Sequence, residues 1–151
     1  MNKEEIFASS NIERQSIFDH VINHLLKQGK RSITLFPISH PHTLCRYRNG
    51  SGDMCAIGCL LSDKEYTPSM EGKSIYQIDL PIRLKSHLIF LSELQFFHDC
   101  PSNWNKNSKY SHSFSARGLQ HLSEIAEKYN LTVNEELIHP KCSDENSFQL
   151  K

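Results

Sequence analysis

Three of the five cysteines lie between residues 45 and 59, around a glycine-rich turn. Asp53 follows that turn and fits the N-cap of a short helix. Cys55 would then occupy the second helical position, where unpaired backbone N–H groups and the helix dipole favour a thiolate. The same helix start, with Arg48 nearby, also fits an anion pocket. Cys55 is therefore interpreted as a reactive thiol, as part of an anion site, or as a small core residue.

A zinc site is a further hypothesis for the same segment. His42 and Cys45, followed by Cys55 and Cys59, supply one histidine and three cysteines in two close pairs. Structural zinc sites use this ligand set, but three residues separate Cys55 from Cys59, where zinc knuckles commonly have two. Neither pair carries a knuckle-like glycine. We therefore expect no metal and no cofactor, and these four residues are only weak candidates for zinc ligands.

His98 is the second residue with a possible chemical role. It shares one face of a predicted helix with Leu91 and Gln95. Cys55 as nucleophile and His98 as base would suit a thiol-dependent hydrolase or transferase. Asp99 points about 100° away from its neighbour on a helix, so Gln95 is the expected orienting group. The alternative is a histidine that stabilises a helix C-terminus and bonds to a carbonyl.

Candidate ligand-binding residues extend beyond the Cys55–His98 pair. The set consists of Tyr47, Arg48, Cys55, Glu71, Gln95, His98 and Trp104. Glu71 in the turn 70–73 offers a carboxylate, or else forms a solvated ion pair. Trp104, with Tyr66 and Tyr76, would line a pocket for a flat ring, or else pin loops to the core.

Helical periodicity dominates the chain and predicts the elements that position these side chains. The predicted helices cover residues 11–28, 54–61, 79–99 and 115–129. Ser10 and Glu13 match a capping box at the first start, and Gly29 suits the left-handed position after the first end.

Two short segments with strand character complete the predicted fold. Residues 32–36 are β-branched and aromatic, and residues 43–48 alternate in polarity. We expect a small β-hairpin that is stable only where helices cover it. The predicted class is therefore α+β, a mostly helical single domain with a small hairpin packed against three to four helices. The domain is expected over residues 1–140, with a flexible tail over 141–151.

Composition restricts the function. The 151 residues include 17 Lys+Arg and 17 Asp+Glu, so the formal net charge is zero. General nucleic-acid binding, which requires a surplus of cations, is not expected. No apolar run approaches the roughly 18 residues of a membrane span. The polar start and the odd cysteine count predict a reducing, cytoplasmic setting, and a homo-oligomer is compatible with these features.

Several motifs together resemble a family of small, largely uncharacterised proteins encoded by phages, prophages and bacteria. They are Cys45-x-Tyr47-Arg48, CAIGCL over 55–60, MEGKS over 70–74, and Leu94-Gln95-x-x-His98-Asp99. The resemblance covers residues 14–104. It implies family positions at Cys45, Tyr47, Arg48, Cys55, Gly58, Glu71, Gly72 and His98. It also implies that small residues other than cysteine occur at position 59, which weighs against zinc, and it transfers no activity.

The leading hypothesis is an accessory binding protein of phage or mobile-element type that acts on host or defence machinery. Its ligand would be a small anionic, nucleotide-like molecule or a host protein. A thiol-dependent enzyme using Cys55 and His98 is the alternative, so the sequence leaves open whether the protein is an enzyme. A structural zinc protein is the third hypothesis.

Overall fold

The computed structural model describes residues 2–34, 45–106 and 113–135, without the side chains of residues 4–8. Four α-helices occur in these ranges: α1 (Lys3–Gln28), α2 (Ile82–Lys85), α3 (Leu88–Asp99) and α4 (Ala116–Lys128). Three short 3-10 helices connect them: Gly58–Leu60, Pro68–Met70 and Pro101–Asn103. Within the described ranges, no helix combines the length and the apolar character needed to cross a membrane.

The predicted α+β class is wrong, because the described residues form a helical fold with no β-strand, sheet or hairpin. Their β-type pairing is limited to isolated bridges such as Arg48 with Met54. Side chains bond backbone groups that a neighbouring strand would otherwise bond. The Glu71 carboxylate accepts from the backbone N–H groups of Tyr47 and Arg48, at 3.1 and 3.0 Å. The Gln28 amide accepts from Met54 N at 2.8 Å and donates to Met54 O at 3.1 Å.

Parts of two predictions lie outside the described residues. The predicted strands over 32–36 and 43–48 extend into 35–44, and the predicted tail over 141–151 falls beyond residue 135.

The helix limits differ from the prediction at three places. α1 begins at Lys3, so Ser10 is inside the helix and its hydroxyl accepts from Arg14 at 3.0 Å instead of capping. The predicted helix over 54–61 is reduced to Gly58–Leu60. The predicted helix over 79–99 is interrupted between α2 and α3, at the turn in which His87 N donates to Leu84 O.

Three other helix ends agree with the sequence. Gly29 follows α1 with a left-handed φ of 76°, as expected for a residue just beyond a helix. α4 lies within one residue of the predicted range at each end. Ser115 caps its start by accepting from Gly118 N at 3.0 Å, and Asn130 beyond its end has a positive φ of 53°.

Two apolar clusters form the interior, and α3 contributes to both. The helical cluster packs α1, α3 and α4 together through Phe18, Val21, Ile22, Leu25, Phe90, Leu94, Phe97, Phe114, Leu122 and Ile125. The loop cluster lies under the segment 45–81 and contains Tyr47, Cys55, Ile57, Leu61, Met70, Ile75, Leu80, Leu84 and Leu91. On α3, Phe90, Leu94 and Phe97 face the first cluster and Leu91 the second. α3 therefore lies between the two clusters.

Candidate functional site

Cys55 belongs to the loop cluster and does not lie on a helix. Its side chain is fully buried, and its Sγ accepts from the backbone N–H of Gly58 at 3.3 Å. Burial raises the pKa of this thiol far above its ordinary value. The predicted helix dipole, which would have lowered the pKa, is missing because the 3-10 helix begins only at Gly58. Cys55 is a protonated core residue in this arrangement.

The cysteines proposed as zinc ligands do not converge. Cys59 donates its thiol hydrogen to Ala56 O at 3.3 Å, and burial raises its pKa to about 12. Within the described ranges, one group of three potential ligand atoms lies within 4.8 Å, and it joins Cys45 to His98 and Asp99, without Cys55 or Cys59. The remaining candidate, His42, lies outside the described residues.

His98 is buried with a partner on each ring nitrogen. Its Nε2 accepts from the backbone N–H of Ser32 at 2.9 Å, so the neutral ring carries its proton on Nδ1. That Nδ1 lies 2.8 Å from Oδ1 of Asp99. The expectation that Asp99 is badly placed to bond its neighbour is therefore wrong. No ring lone pair remains for a thiol proton or for a metal bound between Cys45 and Asp99.

Gln95 orients Asp99, whereas the sequence predicted that it would orient His98. Its Nε2 donates to Asp99 Oδ1 at 2.9 Å, and its Oε1 accepts from Ile57 N at 3.4 Å. Asp99 Oδ1 thus receives two hydrogen bonds from side chains that are themselves held in place. The Asp99 side chain is still 40% exposed. The end of α3 presents a fixed and accessible carboxylate.

Three predicted binding residues have side chains that are already bonded within the protein: Glu71, Tyr47 and Arg48. Besides two backbone N–H groups, the Glu71 carboxylate accepts from the Tyr66 hydroxyl at 3.0 Å. The Tyr47 hydroxyl donates to Lys73 O at 2.8 Å. The Arg48 guanidinium donates to Leu61 O, pairs with Asp63 at 2.6 Å and lies over the Tyr66 ring. These bonds leave Arg48 a poor candidate for the predicted anion contact.

Trp104 is part of the core. Its Nε1 donates to His98 O at 3.0 Å, and its ring packs edge-on against Phe114. Of the two interpretations of this residue, the geometry favours the one in which the ring holds a loop against the helices.

A cavity of about 540 Å³ lies beside the Asp99 carboxylate. We call it the Asp99 cavity; its lining includes Cys45, Tyr47, Lys73, Tyr76, Gln95, Phe96 and Asp99. Phe96 and Tyr76 are large aromatic side chains that are 64% and 61% exposed. Burial, followed by the nearby charge of Asp99, raises the pKa of the Cys45 thiol to about 12. This cavity brings together two predicted ligand-binding residues, Tyr47 and Gln95, but not His98 or Trp104.

The sequence did not single out Phe96 or the accessible role of Asp99. Phe96 follows Gln95 and lies three residues before Asp99, on a helix whose buried positions are already occupied by Leu91, Leu94 and Phe97. An extra aromatic residue off the buried face of a helix is the sequence signal from which this surface is predictable.

A second cavity, of about 600 Å³, lies beside α1 and α2. Two of its polar side chains are already bonded: His87 Nε2 lies 2.9 Å from a Glu13 carboxylate oxygen, and His20 Nε2 lies 3.0 Å from Cys59 O. Among the predicted site residues it includes Cys59, whose thiol is already bonded within its own turn. The Asp99 cavity is therefore the better candidate site.

Comparison with protein-family models, with curated proteins and with solved structures finds no match for this chain.

Proposed function

We propose that the protein is a non-enzymatic binding protein that takes a small nucleotide-like ligand in the Asp99 cavity. One observation carries the proposal: a fixed carboxylate and two exposed aromatic rings line the same cavity of about 540 Å³. Ligand sites combine apolar or aromatic walls with a few oriented polar groups in this way, and their volumes fall between roughly 300 and 1,000 Å³.

Phe96 and Tyr76 supply the aromatic walls. Large aromatic side chains are normally mostly buried, so two that are more than half exposed beside one cavity suit a flat partner. Stacking of a nucleobase on an aromatic side chain contributes about 1–3 kcal/mol. The base of the ligand lies against these rings in the proposed complex.

Lys73 supports the anionic part of the proposal. It is exposed and lines the cavity. Among the described residues, no carboxylate oxygen lies within 4.0 Å of its Nζ, which is the limit for an ion pair. The Tyr47 hydroxyl bonds Lys73 O and so holds this backbone at the cavity wall. A phosphate of the ligand pairs with Lys73 in the proposed complex, in place of the Arg48 contact predicted from the sequence.

The thiol-enzyme alternative lacks support in the geometry, because Cys55 is buried with a raised pKa and His98 has both ring nitrogens bonded. Iodoacetamide at pH 8 should label Cys55 at least a hundredfold more slowly in the native protein than after unfolding in urea. Peptide mass mapping measures both rates, and Cys100, which is partly exposed, is the internal comparison. Rapid labelling of Cys55 in the native state would restore the enzyme hypothesis.

The biological setting is proposed from the sequence resemblance. A phage or mobile-element protein of this kind would work in the host cytoplasm and act on host or defence machinery by holding a nucleotide-like signal. The zero net charge agrees with a local binding site rather than a general nucleic-acid surface.

Thermal stability against a panel of mononucleotides and cyclic nucleotides tests the proposal. A ligand at 100 times its dissociation constant adds about 2.7 kcal/mol to the stability of the protein. Phe96→Ala should remove most of that stabilisation. Ile89→Ala is the matched control, because Ile89 is another exposed apolar side chain of α3 and does not line the cavity. Equal stability of the wild type with and without every nucleotide would overturn the small-ligand proposal.

A further inference from the structure

We infer that the Asp99 carboxylate makes the cavity selective for guanine among the nucleobases. This inference rests on the proposed function, since it concerns which nucleotide the same cavity accepts. It starts from the bonds that hold Asp99 and from the acceptor capacity that those bonds leave.

The Asp99 carboxylate is held by two donors that are fixed in turn. His98 donates from Nδ1, because its Nε2 accepts from Ser32 N. Gln95 donates from Nε2 while its Oε1 accepts from Ile57 N. Both donors bond Oδ1, so the carboxylate keeps one orientation with respect to α3.

The free acceptor capacity lies mainly on Oδ2. An ionised carboxylate has about four lone-pair sites. His98 and Gln95 use two of them, both on Oδ1, and the Cys45 sulfur lies within 4.8 Å of the same carboxylate. Asp99 is 40% exposed and lines the cavity, so the remaining capacity is open to an N–H donor of a bound ligand.

Guanine is the base whose edge suits such an acceptor. Its ring N1–H and its 2-amino group are neighbouring donors, and both can point at one carboxylate. Adenine offers its amino group beside an N1 acceptor, whose lone pair would face the negative charge of Asp99. Hypoxanthine keeps the N1–H but lacks the 2-amino group. A site built around a polar group rejects analogues that leave that group unpaired.

The neighbouring side chains agree with this orientation. Phe96 lies three residues before Asp99 on α3 and lines the same cavity, so a base stacked on its ring lies within reach of the carboxylate. Lys73 lines the cavity from a different chain segment, residues 72–76, and suits the phosphate of the same nucleotide.

Titration calorimetry with guanosine, inosine and adenosine monophosphates tests the inference on the full chain. We expect the guanosine nucleotide to bind the wild type at least tenfold more tightly than either of the others. Asp99→Asn should weaken the binding of guanosine monophosphate by at least tenfold, because an amide offers a donor as well as an acceptor. The affinity for adenosine monophosphate should then lie within threefold of that for guanosine monophosphate. Asp19→Asn on α1, at an exposed carboxylate bonded to Gln15, should leave all three affinities unchanged.

The outcomes separate the two proposals. Binding of all three nucleotides with ratios below tenfold overturns guanine selectivity and leaves nucleotide binding in place. If none of the three nucleotides binds, guanine selectivity is overturned, and the wider panel of mononucleotides and cyclic nucleotides decides whether nucleotide binding falls as well. If Asp99→Asn does not fold, as judged by circular dichroism, the affinity ratios of the wild type alone decide. Inosine and guanosine nucleotides differ only in the 2-amino group, from which Asp99 is inferred to accept a hydrogen bond.

Discussion

The helical cluster and the segment 45–81 satisfy their backbone groups in different ways. In α1, α3 and α4 the backbone bonds run within each helix, and the side chains contribute mainly apolar packing. In the segment 45–81, side chains bond many of the backbone groups that regular structure would otherwise pair. The polar side chains of the helices lie mostly on the surface. In the segment 45–81, polar side chains hold the backbone in place through hydrogen bonds.

Asn49 illustrates the second pattern. Its Oδ1 accepts from Ser51 N at 3.0 Å and from Asp53 N at 2.9 Å, and its Nδ2 donates to Ile33 O at 3.2 Å. One side chain thus closes the glycine-rich turn and attaches it to the chain that follows α1. The difference predicts that single substitutions in the helical cluster lower the stability of the whole protein. In the segment 45–81 we expect their effects to be mainly local.

The largest expected effect is in the helical cluster. Phe97 is fully buried on α3 and packs edge-on against Phe114 with ring centroids 5.1 Å apart. Phe97→Ala should lower the free energy of unfolding by about 3–5 kcal/mol, because it removes buried apolar surface and leaves a cavity. Urea denaturation measures the change. Phe96→Ala is the matched control and should cost about 0.5 kcal/mol or less, since Phe96 is exposed. Similar losses for both variants would contradict the assignment of the core.

Close backbone contacts allow the two regions to be compared directly. A Cβ at Gly58 would lie 1.9 Å from Tyr47 O, and a Cβ at Gly118 would lie 2.2 Å from Asn103 O. Gly58→Ala should cost about 1–3 kcal/mol through overpacking. Gly118→Ala should cost less, because alanine regains about 1 kcal/mol of helix propensity within α4. Thermal unfolding of both variants provides the comparison, and a larger loss for Gly118→Ala would reverse it.

Glu71 tests whether a single carboxylate holds the segment 45–81. Glu71→Gln replaces one oxygen with an amino group that cannot accept from a backbone N–H, which should cost about 1–3 kcal/mol. The effect should be local, so amide hydrogen exchange should speed up at Tyr47 and Arg48 and remain slow in α1. Asp79→Asn replaces an exposed carboxylate in the same segment and is the control, which should leave exchange at Tyr47 and Arg48 unchanged. Uniform acceleration over the whole protein would show that the two regions unfold as one unit.

The sequence predicts the helical part of the molecule better than the segment 45–81. α4 matches its predicted range within one residue, because a strong helical period and a short, local hydrogen-bond pattern determine it. The strand character of residues 43–48 is misleading over the described part, 45–48, because Glu71 bonds this backbone and Gln28 bonds Met54 beside it, although both lie far away in the sequence. Long-range bonds between a side chain and the backbone leave no periodic signal in one sequence.

The same limit applies to the candidate site. The residue types of Gln95 and Tyr47 predict a binding role, and both residues line the Asp99 cavity. The residue type of His98 predicts a base, but its role depends on a backbone N–H of Ser32 that is 66 residues away. Local spacing identifies residues capable of chemistry, and only the folded chain decides which of their atoms remain available.

The smallest expected effect concerns an exposed ion pair that attaches α2 to the segment 45–81. Hydrogen bonding to Arg83 lowers the pKa of Glu65 to about 2 from its ordinary value of 4.5. Because the pKa is lower in the folded state, the pair stabilises the protein above pH 4.5, and this contribution disappears as the pH falls towards 2. The stability gap between wild type and Glu65→Gln, measured by urea denaturation, should therefore narrow over this range. A gap that stays constant down to pH 2.5 would contradict the assignment.

The Gln28 side chain has a consequence for the behaviour of the protein at high concentration. Its amide offers Met54 one donor and one acceptor, as a residue of a neighbouring β-strand would. An extended segment with unpaired backbone groups is a template on which other chains can add and aggregate. By bonding both Met54 groups from the end of α1, Gln28 keeps other chains from pairing with them. Gln28→Ala should consequently increase the rate of aggregation more than its loss of stability alone would explain.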